Sequence, residues 1–270
     1  MEPIKIDGQL VVALIALVQP WVISFYKKNF RQPEIKINPT GSIEIGFSGL
    51  GHTVSITGVL RTLKKDVFIS SINMETVKIE NDAKLKFQWI AQRSNKLFHT
   101  NPREELFAAD SFTLTSGSTR HYNNTFASKG FKRKFQDHTI NTQEEWRNFI
   151  LQKNNPQGDS NFYENELLEF IKVSQHFNNY HTALNNDFYW TPGKYKIKLE
   201  INTEETKTPF AFIWDIEITE DSSRKLRNNT INILRECCSL STNYYFDYQE
   251  YSSTQTLIQP NKLKNIFKKS

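Results

Sequence analysis

The stretch YKIKLEINTEETKTPFAFIWDIEI, residues 195–218, decides the fold. In each half every second residue is large and apolar, a period of two that is typical of a strand with one face on a core. The polar segment NTEETKT (202–208) joins the halves, so the stretch predicts an antiparallel hairpin. The side chains expected to face the core are Tyr195, Ile197, Leu199 and Ile201, followed by Phe210, Phe212, Trp214, Ile216 and Ile218.

Other short runs of the same kind occur upstream, rich in β-branched and aromatic residues and separated by turn-forming residues. They are IEIGF (43–47), VSITGVL (54–60), VFISSI (67–72) and LKFQWIA (85–91), with weaker signals at SFTLTS (111–116) and RHYNNTF (120–126). Short strands that do not alternate with helices favour a mainly β fold. The pattern predicts an antiparallel β-sandwich of the immunoglobulin-like or arrestin-like type.

Helical signals interrupt this pattern in two places. Thr142 and Glu145 have the spacing of a capping box, and FYENELLEFIKVSQHFNNY (162–180) repeats apolar residues at helical spacing. Thr219, followed by two acidic residues, predicts the start of a helix that ends near Cys238. We therefore expect a sandwich domain over 32–251 with a helical insertion at about 142–180 and a C-terminal helix. A hydrophobic segment (1–31) precedes this domain, and a basic tail (252–270) follows it.

The segment before the sandwich holds an uncharged run, LVVALIALVQPWVISFY (10–26). A helix without a polar stripe must be covered by lipid or by protein. The first interpretation is a single-pass transmembrane anchor, with Lys27, Lys28 and Arg31 setting a topology that leaves the main domain in the cytoplasm. The residues assigned to the anchor are Leu10, Val11, Val12, Leu14, Ile15, Leu17, Val18, Trp21, Val22, Ile23, Phe25 and Tyr26.

Two other interpretations of this run stay open. The second interpretation is a helix buried in a protein core or in an oligomer interface, since the run's length is marginal for a bilayer and Gln19–Pro20 interrupts it. A cleaved signal peptide fits less well, because the segment before the run has no net positive charge and no small-residue cleavage site follows the run.

No motif in the chain predicts catalysis, a metal or a cofactor. His176 and His181 are five residues apart, which differs from the spacing of a helical zinc pair, and Gly46, Gly49 and Gly51 do not follow a nucleotide-binding pattern. The two cysteines, Cys237 and Cys238, are adjacent, so we expect reduced thiols, as in a reducing compartment or a bacterial protein. The expectation is a non-enzymatic protein without a catalytic site, metal site or cofactor.

Two C-terminal segments are candidate binding surfaces. The segment STNYYFDYQEY (241–251) predicts either a partner surface or one more packed strand. Its aromatic residues are Tyr244, Tyr245, Phe246, Tyr248 and Tyr251. The basic tail predicts either a lipid-facing segment or a solvated tail. Its lysines are Lys262, Lys264, Lys268 and Lys269.

The formal net charge of +5 is spread along the chain without a nucleic-acid-binding module, so nucleic acid is not an expected partner. The leading hypothesis is a membrane-anchored, non-enzymatic β-sandwich that binds a protein partner or ligand at the cytoplasmic face. The alternative is a soluble cytoplasmic subunit of a homo- or hetero-oligomeric assembly, whose N-terminal helix packs in a protein interface.

Overall fold

A computed structural model describes residues 8–29, 33–93, 106–153 and 160–251. The strands within these ranges are β1 (Glu34–Pro39), β2 (Ser42–Ser48), β3 (Gly51–Leu63), β4 (Val67–Lys78), β5 (Lys84–Arg93), β6 (Leu106–Ala108), β7 (Phe112–Leu114), β8 (Thr119–Ser128), β9 (Gly193–Thr203), β10 (Phe210–Ile218) and β11 (Phe246–Glu250). The helices are α1 (Gly8–Asn29), α2 (Phe131–Lys134), α3 (Gln136–Gln152), α4 (Ser160–Val173), α5 (Gln175–Asp187) and α6 (Glu220–Cys237).

The strands form one antiparallel 11-stranded sheet with the order β10-β9-β4-β5-β8-β3-β2-β11, and β1, β6 and β7 pair at its margins. The prediction of a mainly antiparallel β fold with helices is confirmed. The finer assignment to a two-sheet immunoglobulin-like or arrestin-like sandwich is not confirmed, because one hydrogen-bonded sheet holds all of these strands. Twist curls this sheet until its end strands approach each other, and the rings of Trp214 and Tyr251 lie 5.8 Å apart.

The predicted hairpin of residues 195–218 is confirmed as β9 and β10. The two strands pair antiparallel from Gly193↔Ile218 to Ile201↔Phe210. Eight of the nine side chains predicted to face the core are buried, and Phe210 is partly buried at the core's edge. Strand β9 then pairs with β4, so the hairpin completes one end of the curled sheet.

The predicted single-pass transmembrane helix is wrong. Residues Gly8–Asn29 do form one helix, α1, with Pro20 in its interior. Within the parts of the chain that the structure describes, no helix has both the length and the apolar character needed to cross a bilayer. The uncharged part of α1, from Leu10 to Tyr26, spans roughly 26 Å, which is shorter than a hydrocarbon core of roughly 30 Å, and Gln19 and Pro20 interrupt it. The membrane-anchor assignment of these residues is therefore withdrawn.

The helical insertion between β8 and β9 begins earlier than the sequence pattern predicts. Gly130 lies in the turn after β8 in the left-handed conformation, at φ 84°, and α2 begins at the next residue. Thr142 is fully buried inside α3, so the capping-box interpretation of Thr142 and Glu145 is wrong. Glu145 instead accepts a hydrogen bond from Ser174, and the Ser174 hydroxyl caps α5 by accepting from the Phe177 N–H at 3.0 Å.

Helix α6 begins where the sequence predicts. The Thr219 hydroxyl accepts a hydrogen bond from the Ser222 N–H at 3.1 Å, which satisfies one of the free donors of the first turn. At the other end, Arg235 binds Glu164 of α4 through two hydrogen bonds, of which Nη1 to Oε2 measures 2.7 Å. Arg235 also donates to the Ser241 carbonyl, so it ties α4 and the segment after α6 together.

The Arg235–Glu164 pair is expected to contribute a modest coupling energy. The paired side chains are 22% and 44% exposed, so solvent screens their attraction. We expect a double-mutant cycle with Glu164→Gln and Arg235→Gln to give about 0.5–1.5 kcal/mol in urea unfolding, because the contact is bidentate. The matched cycle for the more exposed pair Asp221–Lys225 is expected to give less. A coupling energy no larger than that of the Asp221–Lys225 pair would contradict this prediction.

Candidate functional site

Helix α1 exposes more apolar surface than any other helix that the structure describes. Nine large apolar side chains on it lie between 41% and 77% exposed to solvent. They are Val12, Ile15, Leu17, Val18, Trp21, Val22, Ile23, Phe25 and Tyr26. An exposed apolar patch of this extent marks a surface that another molecule covers.

The exposed side chains of α1 surround most of the helix. At about 3.6 residues per turn they cover roughly 240° of its circumference, whereas the apolar stripe of a helix on the surface of a domain covers about 100°. The remaining arc holds small residues such as Ala16, Pro20 and Ser24. A groove lined by Ile15, Val18, Gln19, Val22 and Ile23 runs along the helix.

The three positive residues that follow the uncharged run are Lys27, Lys28 and Arg31, and the structure describes the first two. Lys27 and Lys28 belong to the last turns of α1. Arg31 lies outside the described residues. The topology assigned to these three residues depended on the transmembrane helix and is withdrawn with it.

The aromatic C-terminal segment is mostly packed against the body. Strand β11 pairs with β2, and the backbone of Tyr245 exchanges two hydrogen bonds with the Asn229 side chain, at 2.7 and 2.9 Å. The Tyr251 hydroxyl donates to the Thr57 carbonyl and accepts from the Thr57 N–H, each at 2.9 Å. The Tyr244 hydroxyl donates to Glu236. Tyr248, at 62% exposure, is the member that faces solvent most fully, and the partner-surface interpretation stays a prediction.

One residue of this segment, Asp247, is a buried carboxylate that no sequence motif indicates. Asp247 is 6% exposed. It accepts hydrogen bonds from the Ser222 hydroxyl at 2.7 Å, from the Tyr245 hydroxyl at 3.3 Å and from the Gln249 amide at 2.5 Å. Ser222 lies in α6, Gln249 lies in β11 and Tyr245 directly precedes that strand, so Asp247 fixes the last strand on the N-terminal end of α6.

Among the described residues, His52 is the histidine that lies buried. His52 is 2% exposed and stacks on Phe47, with ring centroids 4.6 Å apart. The ring Nε2 accepts a hydrogen bond from the Tyr189 backbone N–H at 3.0 Å, and the backbone N–H of His52 donates to the Ser128 hydroxyl at 3.1 Å. Burial, together with the nearby positive charge of Lys134, lowers the pKa of His52 to about 3. The ring is therefore neutral and acts as an acceptor inside the core.

The other candidates bring no catalytic arrangement together. His176 is exposed on α5, and the His181 ring lies 3.1 Å from the Asn185 amide. Gly49 lies in the two-residue connection between β2 and β3, in agreement with the interpretation of that glycine-rich stretch as a turn. No group of three or more His, Cys, Asp or Glu side chains suited to a metal ion occurs in the described ranges. The tail lysines Lys262, Lys264, Lys268 and Lys269 lie outside the described residues.

Comparisons with known proteins add little to this geometry. No protein-family model matches the chain, and no curated protein matches it. Among solved structures, the chain is similar to a family 123 glycoside hydrolase from Clostridium perfringens, reported in a study of glycolipid glycan hydrolysis. The sequence identity is 10%, the TM-score is 0.30, and the match covers 70% of this chain and 27% of the hydrolase. A likeness of this level supports no conclusion about activity.

Proposed function

We propose that this protein is a subunit of a homo-oligomeric assembly in which α1 packs against α1 of other copies. The observation that carries this proposal is the exposure of nine large apolar side chains around one helix. Burying them would contribute on the order of 15 kcal/mol at roughly 1.5–3 kcal/mol for each side chain. That gain is comparable to or larger than the roughly 4–15 kcal/mol that association costs in lost freedom.

The charge distribution of α1 favours antiparallel packing. The helix contains no acidic residue, and its basic residues, Lys27 and Lys28, lie at its C-terminal end. Parallel copies would bring these lysines together, whereas antiparallel copies keep them apart by roughly 30 Å, about the length of the helix. The roughly 240° apolar arc is also wider than one neighbouring helix covers, so we expect more than two copies in the assembly.

The first test is the mass of the full chain in detergent-free buffer. We expect a concentration-dependent multiple of 31.6 kDa by light scattering and sedimentation equilibrium. Trp21→Glu, at a position that is 77% exposed, should lower the mass toward that of one chain, because it buries a charge in the interface. The matched control is Val173→Glu on α4, at 70% exposure, which should leave the mass unchanged.

Disulfide trapping tests the antiparallel arrangement separately. The native thiols of Cys237 and Cys238 are buried, so a cysteine introduced into α1 is the accessible one. Val18→Cys lies near the middle of the helix, where identical residues meet in an antiparallel pair, and should cross-link. Tyr26→Cys lies near one end and should not. A monomeric full chain at every concentration would overturn the proposal, and cross-linking through Tyr26→Cys alone would overturn the antiparallel arrangement.

A further inference from the structure

A cleft of about 580 Å³ opens on the helical side of the molecule. Helix α3, the first turn of α4 and the C-terminal end of α6 form its walls. Its lining includes Trp146, Arg147, Ile150, Tyr163, Cys237 and Cys238. Its volume lies within the roughly 300–1,000 Å³ that is typical of small-molecule sites.

The floor of the cleft is apolar and rigid. Trp146 is 7% exposed and is held by Phe170, with the two rings edge to face at 5.1 Å. Ile150, Tyr163 and Leu240 are half-buried around it. A fixed aromatic ring with aliphatic neighbours offers a surface for the apolar body of a ligand.

The rim of the cleft carries one positive charge and no negative charge. Arg147 is the charged residue among those lining it, and it is exposed. No ion pair joins it to another residue within the described ranges. Of the acidic neighbours of the lining residues, Glu164 binds Arg235, Glu236 accepts from Tyr244 and Glu145 accepts from Ser174. Glu144 lies three residues before Arg147 on α3, and no ion pair joins the two side chains. The guanidinium is therefore available to an anion.

The two cysteines add no opposing charge. Cys237 and Cys238 both line the cleft although they are adjacent, because α6 ends there. Burial raises the pKa of Cys237 to about 11 and that of Cys238 to about 12. Both thiols are therefore protonated at neutral pH and behave as small apolar groups.

We propose that this cleft binds a small amphiphilic monoanion, a carboxylate with an apolar body, whose carboxylate pairs with Arg147 and whose body packs on Trp146 and the thiols of Cys237 and Cys238. A volume of about 580 Å³ has room for about 15–20 non-hydrogen atoms at the packing of liquid water. This is the size of a medium-chain or aryl carboxylate. The planar guanidinium suits a carboxylate because it donates two parallel hydrogen bonds.

The test measures decanoate binding to the full chain by isothermal titration calorimetry. We expect one decanoate per chain, with decan-1-ol binding at least about tenfold more weakly because it lacks the charge. Arg147→Gln should weaken decanoate binding about tenfold and leave the affinity for decan-1-ol unchanged. The matched control is Arg133→Gln on α2, an exposed arginine outside the cleft that removes the same charge.

A second measurement locates the ligand. Gln143→Trp at the rim fills the entrance of the cleft and should block decanoate binding, whereas Arg133→Trp outside the cleft should leave it unchanged. Because α1 is also apolar, decanoate binding is repeated with Trp21→Glu, which should not change it. The proposal is overturned if decanoate does not bind, if Arg147→Gln binds decanoate as the unmodified chain does, or if Trp21→Glu abolishes binding.

Discussion

Acidification from pH 6.5 to pH 3 is expected to remove on the order of 4–5 kcal/mol from the free energy of unfolding through His52 alone. The pKa of this buried ring is about 3, compared with 6.5 for a free histidine. The unfolded chain therefore takes up a proton at a pH where the folded chain does not. The contribution is complete above pH 6.5, falls by about 1.4 kcal/mol for each pH unit below it, and levels off near pH 3.

The measurement is urea unfolding at a series of pH values for the unmodified chain and for the variants His52→Gln and His176→Gln. In His52→Gln the slope between pH 6.5 and pH 3 should become shallower by roughly 1.4 kcal/mol per unit, because the amide does not titrate. The variant should also be less stable at neutral pH, since it loses the stacking on Phe47. The control is His176→Gln on the exposed face of α5, which should keep the original slope. An equal slope in all three chains would contradict the assignment of acid sensitivity to His52.

Gly51→Ala is expected to destabilise the fold by about 3–5 kcal/mol, as the sum of backbone strain and overpacking. Gly51 opens β3 with φ at 90°, a conformation that costs an alanine roughly 1–2 kcal/mol. A Cβ at this position would lie 2.4 Å from the Ser128 hydroxyl oxygen and 2.5 Å from a ring carbon of Phe131. Ser128 also binds the His52 N–H, so it cannot move without breaking that hydrogen bond.

Gly117→Ala is the matched control for this substitution. Gly117 has φ at 82°, and a Cβ there meets no atom within 4 Å. It should therefore show the backbone cost alone, about 1–2 kcal/mol. The difference between the two variants in urea unfolding measures the close packing around Gly51. Equal losses of stability in the two variants would contradict the prediction. They would mean that Ser128 and Phe131 move to accommodate the added methyl group without lowering the free energy of unfolding.

The local sequence pattern was sufficient to predict elements that keep one face on the core along their whole length. The period of two in residues 195–218 predicts both strands of the β9–β10 hairpin and which side chains are buried, because adjacent positions on a strand point to opposite faces. Thr219 predicts the start of α6 because an N-cap satisfies donors within a few residues. The pattern fails at Thr142, whose spacing to Glu145 fits a cap although the residue is buried within α3.

The candidate sites depended on contacts between residues that are distant in sequence. Nothing near His52 in the sequence predicts its burial, because its hydrogen-bond partners are distant in the chain. Its ring accepts from Tyr189, and its backbone N–H donates to Ser128. The cleft combines α3 with the end of α6, nearly one hundred residues later in the chain. In the aromatic C-terminal segment, the alternation of aromatic and polar residues is visible in the sequence. The burial of Asp247 within the same segment is not.

The sequence by itself determined that this chain is mainly β with a helical insertion and an N-terminal apolar helix, because side-chain periodicity and helix caps act over a few residues. Only the tertiary structure decided that the strands close into one curled sheet, since the pairing of β9 with β4 and of β11 with β2 depends on which edges meet in space. It also decided that α1 exposes its apolar side chains while Arg147, Trp146 and two thiols share a cleft. These are properties of neighbours brought together by folding, and a linear pattern does not contain them.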